Sequence, residues 1–180
     1  MLPRLSLIVI VLAAAGPAAA QPPLDDRPGR PEQGRRAAVA VEGIAGYAAF
    51  LDDSAIEHAV FGGAARIQLA PRHSLGPEVV YLRGPGFDRD WFVTANYTFD
   101  VVRQDQRPPR HRINPFLVAG AGFMRHQDRF AGEFSSTEGA FTAGGGVRVW
   151  LTDRVYATAD VRTGWEPHLR INGGIGVRLR

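Results

Sequence analysis

The sequence predicts an all-β chain: an eight-stranded antiparallel up-and-down transmembrane barrel, preceded by a signal peptide and a disordered Pro/Arg-rich tail. Three observations predict it. Every second residue from Trp91 to Val101 is apolar (Trp91, Val93, Ala95, Tyr97, Phe99, Val101), while Thr94, Asn96, Thr98 and Asp100 make the alternate positions polar apart from Phe92. Seven further runs between Ala37 and Arg180 alternate in the same way, and none has the 3.6-residue period of an amphipathic helix. The first twenty residues carry export features. A tilted strand of about 9–11 residues crosses a hydrocarbon layer. Open strand edges there would leave N–H and C=O groups unpaired at several kcal/mol each, so a row of such strands must close on itself.

Residues 1–20 combine Arg4, an apolar run from Leu5 to Ala15, and the small-residue end Ala18-Ala19-Ala20. This is the pattern of a secretory signal peptide. The run is shorter than the ~20 residues of a spanning helix, and Gly16-Pro17 interrupts it. Residues 21–36, rich in Pro and Arg, hold too few apolar side chains to offset the entropy of ordering, and are expected to form a disordered linker.

The barrel domain is expected over 37–180. Its runs cover about 38–50, 57–69, 75–83, 91–101, 113–125, 139–151, 155–163 and 169–180. The fifth is apolar and Gly-rich on both faces, which leaves its facing undecided. Val93, Tyr97, Phe99, Val147, Ile175 and Val177 fall on the apolar parity, expected to face lipid. With both ends of an even-stranded barrel on the periplasmic side, the connections 51–56, 84–90, 126–138 and 164–168 face outward. The inward turn 102–112 is about as long as the longest outer loop.

The ionised residues of the polar parity are Glu42, Glu78, Asp100 and Asp160 against Arg66, Arg148, Arg162, Arg170 and Arg178. An eight-stranded barrel is just wide enough for side chains to fill, so these groups are expected to form a desolvated charge network. Arginine suits it, because its planar fork satisfies two carboxylate oxygens at once. Parity does not say which acid meets which arginine; Asp160 and Arg148, on neighbouring strands near one turn, are the first candidate pair. A filled lumen argues against a diffusion pore.

The chain resembles the small outer-membrane β-barrel domain family of the OmpX and OmpA transmembrane-domain kind. The resemblance rests on Asn114-Pro115-Phe116 leading into Ala119-Gly120-Ala121-Gly122-Phe123, on Gly144-Gly145-Gly146-Val147, on Ala159-Asp160-Val161-Arg162, and on Gly173-Gly174-Ile175-Gly176-Val177. It implies localisation to a Gram-negative outer membrane, with outer-membrane lipid and, during insertion, the barrel-assembly machinery as partners. The family's usual insertion signal is a terminal aromatic; here the last residues are Val177-Arg178-Leu179-Arg180. The function expected is structural or surface-interacting, without enzymatic activity. A soluble exported lipocalin-like binder and a lipid A-modifying barrel enzyme are the alternatives.

No cofactor or metal is expected. The chain has no Cys, which removes disulfides, thiolate metal sites and a cysteine nucleophile. The histidines at 58, 73, 111, 126 and 168 show no metal-ligand spacing and read as turn or surface residues. Asp52, Asp53 and Glu57 could hold calcium, though a solvated acidic loop explains them. His126, Ser135, Ser136 and Glu138 flank one loop and could assemble a hydrolase triad, but the deacylase His-x-Ser pattern reads His126-Gln127-Asp128 here. The 21 Lys+Arg residues are all Arg and give a net charge of +3. They are scattered along the chain with no basic, aromatic-interleaved patch, so no nucleic acid is expected as a partner.

Overall fold

A computed structural model describes residues 38–51, 56–86, 88–104, 109, 111–128, 134–165 and 167–179. The expected signal peptide, the tail, and Asp52 and Asp53 lie outside the described residues. The eight strands are β1 (Val39–Phe50), β2 (Ile56–Ala70), β3 (His73–Arg83), β4 (Arg89–Asp100), β5 (Ile113–Asp128), β6 (Phe134–Trp150), β7 (Val155–Gly164) and β8 (His168–Arg178). Each pairs antiparallel with the next, and β1 closes on β8 through Ala40↔Arg178 to Phe50↔His168. The closure leaves no free edge, which is the condition for crossing lipid with strands.

Alternation is the organising force. Along β4 the even positions 90 to 100 are buried, while Trp91, Ala95 and Tyr97 are exposed and Val93 and Phe99 half-buried. The same parity makes Phe116, Val118 and Met124 of β5 internal and Leu117 and Phe123 external, which decides the facing of that strand. From Trp91 to Val101 is about 33 Å of strand, or about 25 Å along the axis at a tilt of ~40°, the height of an outer-membrane apolar band.

Six strands begin and end within two residues of the runs read from the sequence. The exceptions are β5 and β6. They remain paired to Asp128↔Phe134, whereas β6 pairs with β7 only as far as Thr142↔Gly164. Much of the expected loop 126–138 is therefore an extended hairpin. Polar residues such as Ser135 and Ser136 give no apolar alternation there, because β6 runs past the end of β7 while β5 stays paired with β4 as far as Arg89↔Gln127, so this part of β6 has no second neighbour to complete a buried face.

The lumen is more apolar at one end than the filled polar interior expected, in which Phe92 is an exception on the polar parity. Ile44, Ala48, Val60, Val80, Leu82, Phe92, Met124 and Ala140 form a buried apolar layer in the half nearer the β1–β2, β3–β4 and β5–β6 connections. Glu42, Glu78, Asp100, Asp160 and their arginines lie on its other side, and Asp88 and Asp90 at the loop end. Concentrating the ions in one layer lets each find several partners, while the rest of the bore is filled by groups with no polar atoms to satisfy.

Candidate functional site: the barrel lumen

Glu78 of β3 is the centre of the ion layer. Arg170 Nη2 donates to its Oε1 at 2.6 Å, Arg162 Nη1 stands 2.8 Å from its Oε2, and Asn96 Nδ2 donates to the same oxygen at 3.0 Å. Arg162 also reaches Asp160 through Nε and Nη2 at 3.0 and 3.1 Å, the bidentate geometry a planar guanidinium allows. Asn172 Nδ2 donates to Asp160 Oδ1 at 2.7 Å. All six side chains are buried.

Two smaller groups lie nearer the chain ends. Glu42 accepts from Arg66 Nη2 at 2.8 Å and from Thr158 Oγ1 at 2.7 Å. Asp100 Oδ1 accepts from Arg148 Nη1 and from Asn114 Nδ2, each at 2.7 Å. The candidate Asp160–Arg148 pair does not form. Arg148 reaches across β5 to the end of β4, while Asp160 takes the arginine two residues along its own face. Strand adjacency alone cannot see either choice, because an arginine is long enough to cross a narrow bore.

Gln104, just after β4, fills the lumen at this end. Gln104 is buried, held by its N–H to the Pro71 carbonyl at 2.7 Å, and its Oε1 accepts from Trp150 Nε1 at 3.1 Å. Arg178 lies over the Trp150 ring, 4.2 Å from its centroid, and Arg148 over Tyr156 at 5.1 Å. Such stacking offsets part of the cost of desolvating a guanidinium. Gln104 is not legible in the sequence, since a turn has no period to reveal which residue folds inward, whereas Trp150 shares the inward parity of Arg148 on β6. Asn96 and Asn172 already lay on the polar parity.

Tyr156 occupies space that Gly176 leaves open, and a Cβ at Gly176 would overlap its ring. Gly176→Val is expected to lower stability by about 1–3 kcal/mol through overpacking, read as a reduced urea midpoint in detergent micelles.

On the outer face, Tyr97, Ile175 and Val177 are exposed and Val93, Phe99 and Val147 half-buried. Arg83, Arg89 and Arg125 are exposed at the loop end, and Arg72, Arg112 and Arg154 at the other.

The reading of all five histidines as turn or surface residues is overturned for two of them. His58 and His168 are buried at 2% and 1% exposure, because both lie on the inward parity just inside the loop end. His58 of β2 and His126 of β5 meet Asp90 of β4 and Asp88 of the preceding connection, and among the described residues His58, Asp88 and Asp90 are the group placed to hold a metal ion. Ser136 lies opposite His126 in the β5–β6 register, Ser135 takes the other parity, and Glu138 accepts from Trp165 Nε1 at 3.2 Å. Of the residues considered from sequence for a hydrolase, the contacts described for His126 run to the two aspartates, and that for Glu138 to an indole.

No protein-family model and no curated protein matches the chain. Among solved structures it is similar to the N-terminal β-barrel domain of Pseudomonas aeruginosa OprF, at TM-score 0.64 and 13% identity, over 79% of this chain and 97% of that one. It is equally similar to Neisserial surface protein A, at TM-score 0.64 and 12% identity, with the same coverage of 79% and 97%. Both are eight-stranded barrels of outer membranes. With its closed antiparallel sheet, apolar outer face and β1–β8 seam, this chain has the up-and-down eight-stranded barrel fold of the small outer-membrane proteins.

Proposed function

We propose that the chain is an outer-membrane β-barrel protein with a filled lumen, serving a structural or surface-interaction role, and acting neither as a general diffusion pore nor as an enzyme. The observation that carries this reading is a single cross-section of the barrel. Glu78, Arg162 and Arg170 are buried inside, while Val79, Phe123 and Ile175 stand exposed on the outer face. A soluble barrel has the opposite polarity. In water the outer face would be an apolar belt far larger than monomers tolerate; in lipid it is solvated, and the rim arginines reach the headgroups.

Among the described residues, the gaps in the ion layer measure about 30 Å³ beside Gln104 and about 10 Å³ beside Asn96, room for a water or two, and a larger cavity of about 250 Å³ lies at the loop end. In this reading residues 1–20 direct export, outer-membrane lipid and the barrel-assembly machinery are the partners, and the loop end faces outward.

The test joins fractionation, gel mobility and liposome swelling. Recovery with outer membranes, a shift between unheated and boiled samples in detergent gels, and sugar permeation at the rate of empty liposomes are expected. Recovery in the soluble fraction without a shift would replace this reading by the exported binder, and rapid swelling would make the chain a pore. Lipid A from cells producing the chain should keep its mass; a mass change that disappears in Ser135→Ala/Ser136→Ala would establish the enzyme.

A further inference from the structure

The His58 cluster belongs to no part of the ion network in the other half of the lumen. It sits at the end of the barrel opposite the Ala40↔Arg178 closure, where β2, β4, β5 and the β3–β4 connection meet. One donor atom each from His58, Asp88 and Asp90 lie within 4.8 Å of one another. His58 Nε2 is 2.9 Å from Asp88 Oδ2 and 3.4 Å from Asp90 Oδ2, and His126 Nδ1 is 2.5 Å from Asp90 Oδ1 and 3.8 Å from Asp88 Oδ1. Atoms bound to one zinc ion at about 2.0–2.2 Å in tetrahedral geometry stand roughly 3.3–3.6 Å apart. His58, Asp88 and Asp90 have those separations to within a side-chain adjustment, and His126 stands against the other oxygens of the two carboxylates, from which its ring would turn to become the fourth ligand.

Three further features point to a cation. The Nδ1 of His58 donates to the Ile56 carbonyl at 3.2 Å, since a carbonyl can only accept. That bond orients the ring and turns Nε2 toward the aspartates, as the second hydrogen bond of metal-bound histidines does. Asp88 Oδ1 is buried and accepts no hydrogen bond, a cost that a native structure usually offsets with an ion or water. Finally, the cluster borders a cavity of about 250 Å³, whose remaining walls include Phe50, Ile56 and Pro167, through which a hydrated ion can enter and shed water.

We propose that His58, Asp88, Asp90 and His126 form a binding site for one divalent transition-metal ion of the zinc class at the loop end of the barrel. Two imidazoles and two carboxylates are a mixed nitrogen and oxygen set, which suits zinc, nickel or cobalt and not calcium or magnesium, whose ligands are oxygen. A dication balances the two carboxylates while both rings stay neutral. Bound there, it ties β2, β4 and β5 to the β3–β4 connection. The site depends on the barrel and its register, not on the membrane in which the barrel sits.

The test uses the full-length chain folded in detergent micelles, with folding verified by the heat shift in gels. Titration with ZnCl₂ followed by calorimetry is expected to show one ion per barrel, and Co²⁺ to give the intense visible absorption of a four-coordinate site. His58→Ala, His126→Ala and Asp90→Asn should each weaken binding about tenfold or more, while His73→Ala, at the other end of the barrel, leaves it unchanged. Since a buried variant can fail to fold, the wild-type chain supplies a second measurement: Zn²⁺ should shift the ring ¹⁵N resonances of His58 and His126 and not that of His73. Absence of one-to-one binding, wild-type affinity in any folded variant of the first three, or resonance shifts confined to other histidines overturns the proposal.

Discussion

Glu78→Gln is expected to destabilise the barrel by about 3–5 kcal/mol, the cost of leaving a buried ionic partner uncompensated. Glu78 takes Arg170 on one oxygen and Arg162 and Asn96 on the other. The neutral amide keeps the shape and removes the charge, so Arg170, 2% exposed, loses its described ion pair, whereas Arg162 retains Asp160. Adding Arg170→Met should restore part of the loss, so the double variant costs less than the sum of the singles. By contrast, Asp160→Asn with Arg148→Gln should be additive within about 0.5 kcal/mol, since those two share no partner. Urea midpoints in detergent micelles, with the slope checked for constancy, measure all of these. A Glu78→Gln change below about 1 kcal/mol would place the carboxylate in water and remove the buried network as the barrel's filling.

Val93→Arg is expected to cost roughly 2–4 kcal/mol in lipid bilayers, the penalty for an arginine on the lipid face near the midplane. Val93 pairs with Val79 on one side and Phe123 on the other, so no acid stands beside it in the register to receive the new charge. Its neighbour Thr94 points the other way, is 4% exposed, and pairs with Glu78 and Gly122. Thr94→Leu should therefore destabilise by about 1–3 kcal/mol through overpacking. The two variants together distinguish the environments: a solvated exterior would accept Val93→Arg, and an open interior would accept Thr94→Leu. Refolding yield and denaturant midpoint in vesicles, both compared with the wild-type chain, decide the matter.

What the sequence by itself determined was parity. A strand turns alternate side chains to opposite faces, so once Trp91–Val101 was read with period two, the inward placement of Glu42, Glu78, Asp100 and Asp160 and of the five arginines followed from counting. Closure followed as well, because the period covered eight segments and open edges are not tolerated in lipid. Parity carries no information along the barrel axis or across its bore. Only the tertiary structure decided that Arg148 meets Asp100 and Arg162 meets Asp160, that Val80, Leu82 and Phe92 gather into an apolar layer, and that Gln104 leaves an aperiodic turn to close one end. The histidine and aspartate cluster was hidden for the same reason. His58, Asp88, Asp90 and His126 span 69 positions of sequence without a ligand motif, and the β2–β3–β4–β5 register, with side chains long enough to cross a narrow bore, is what brings them together.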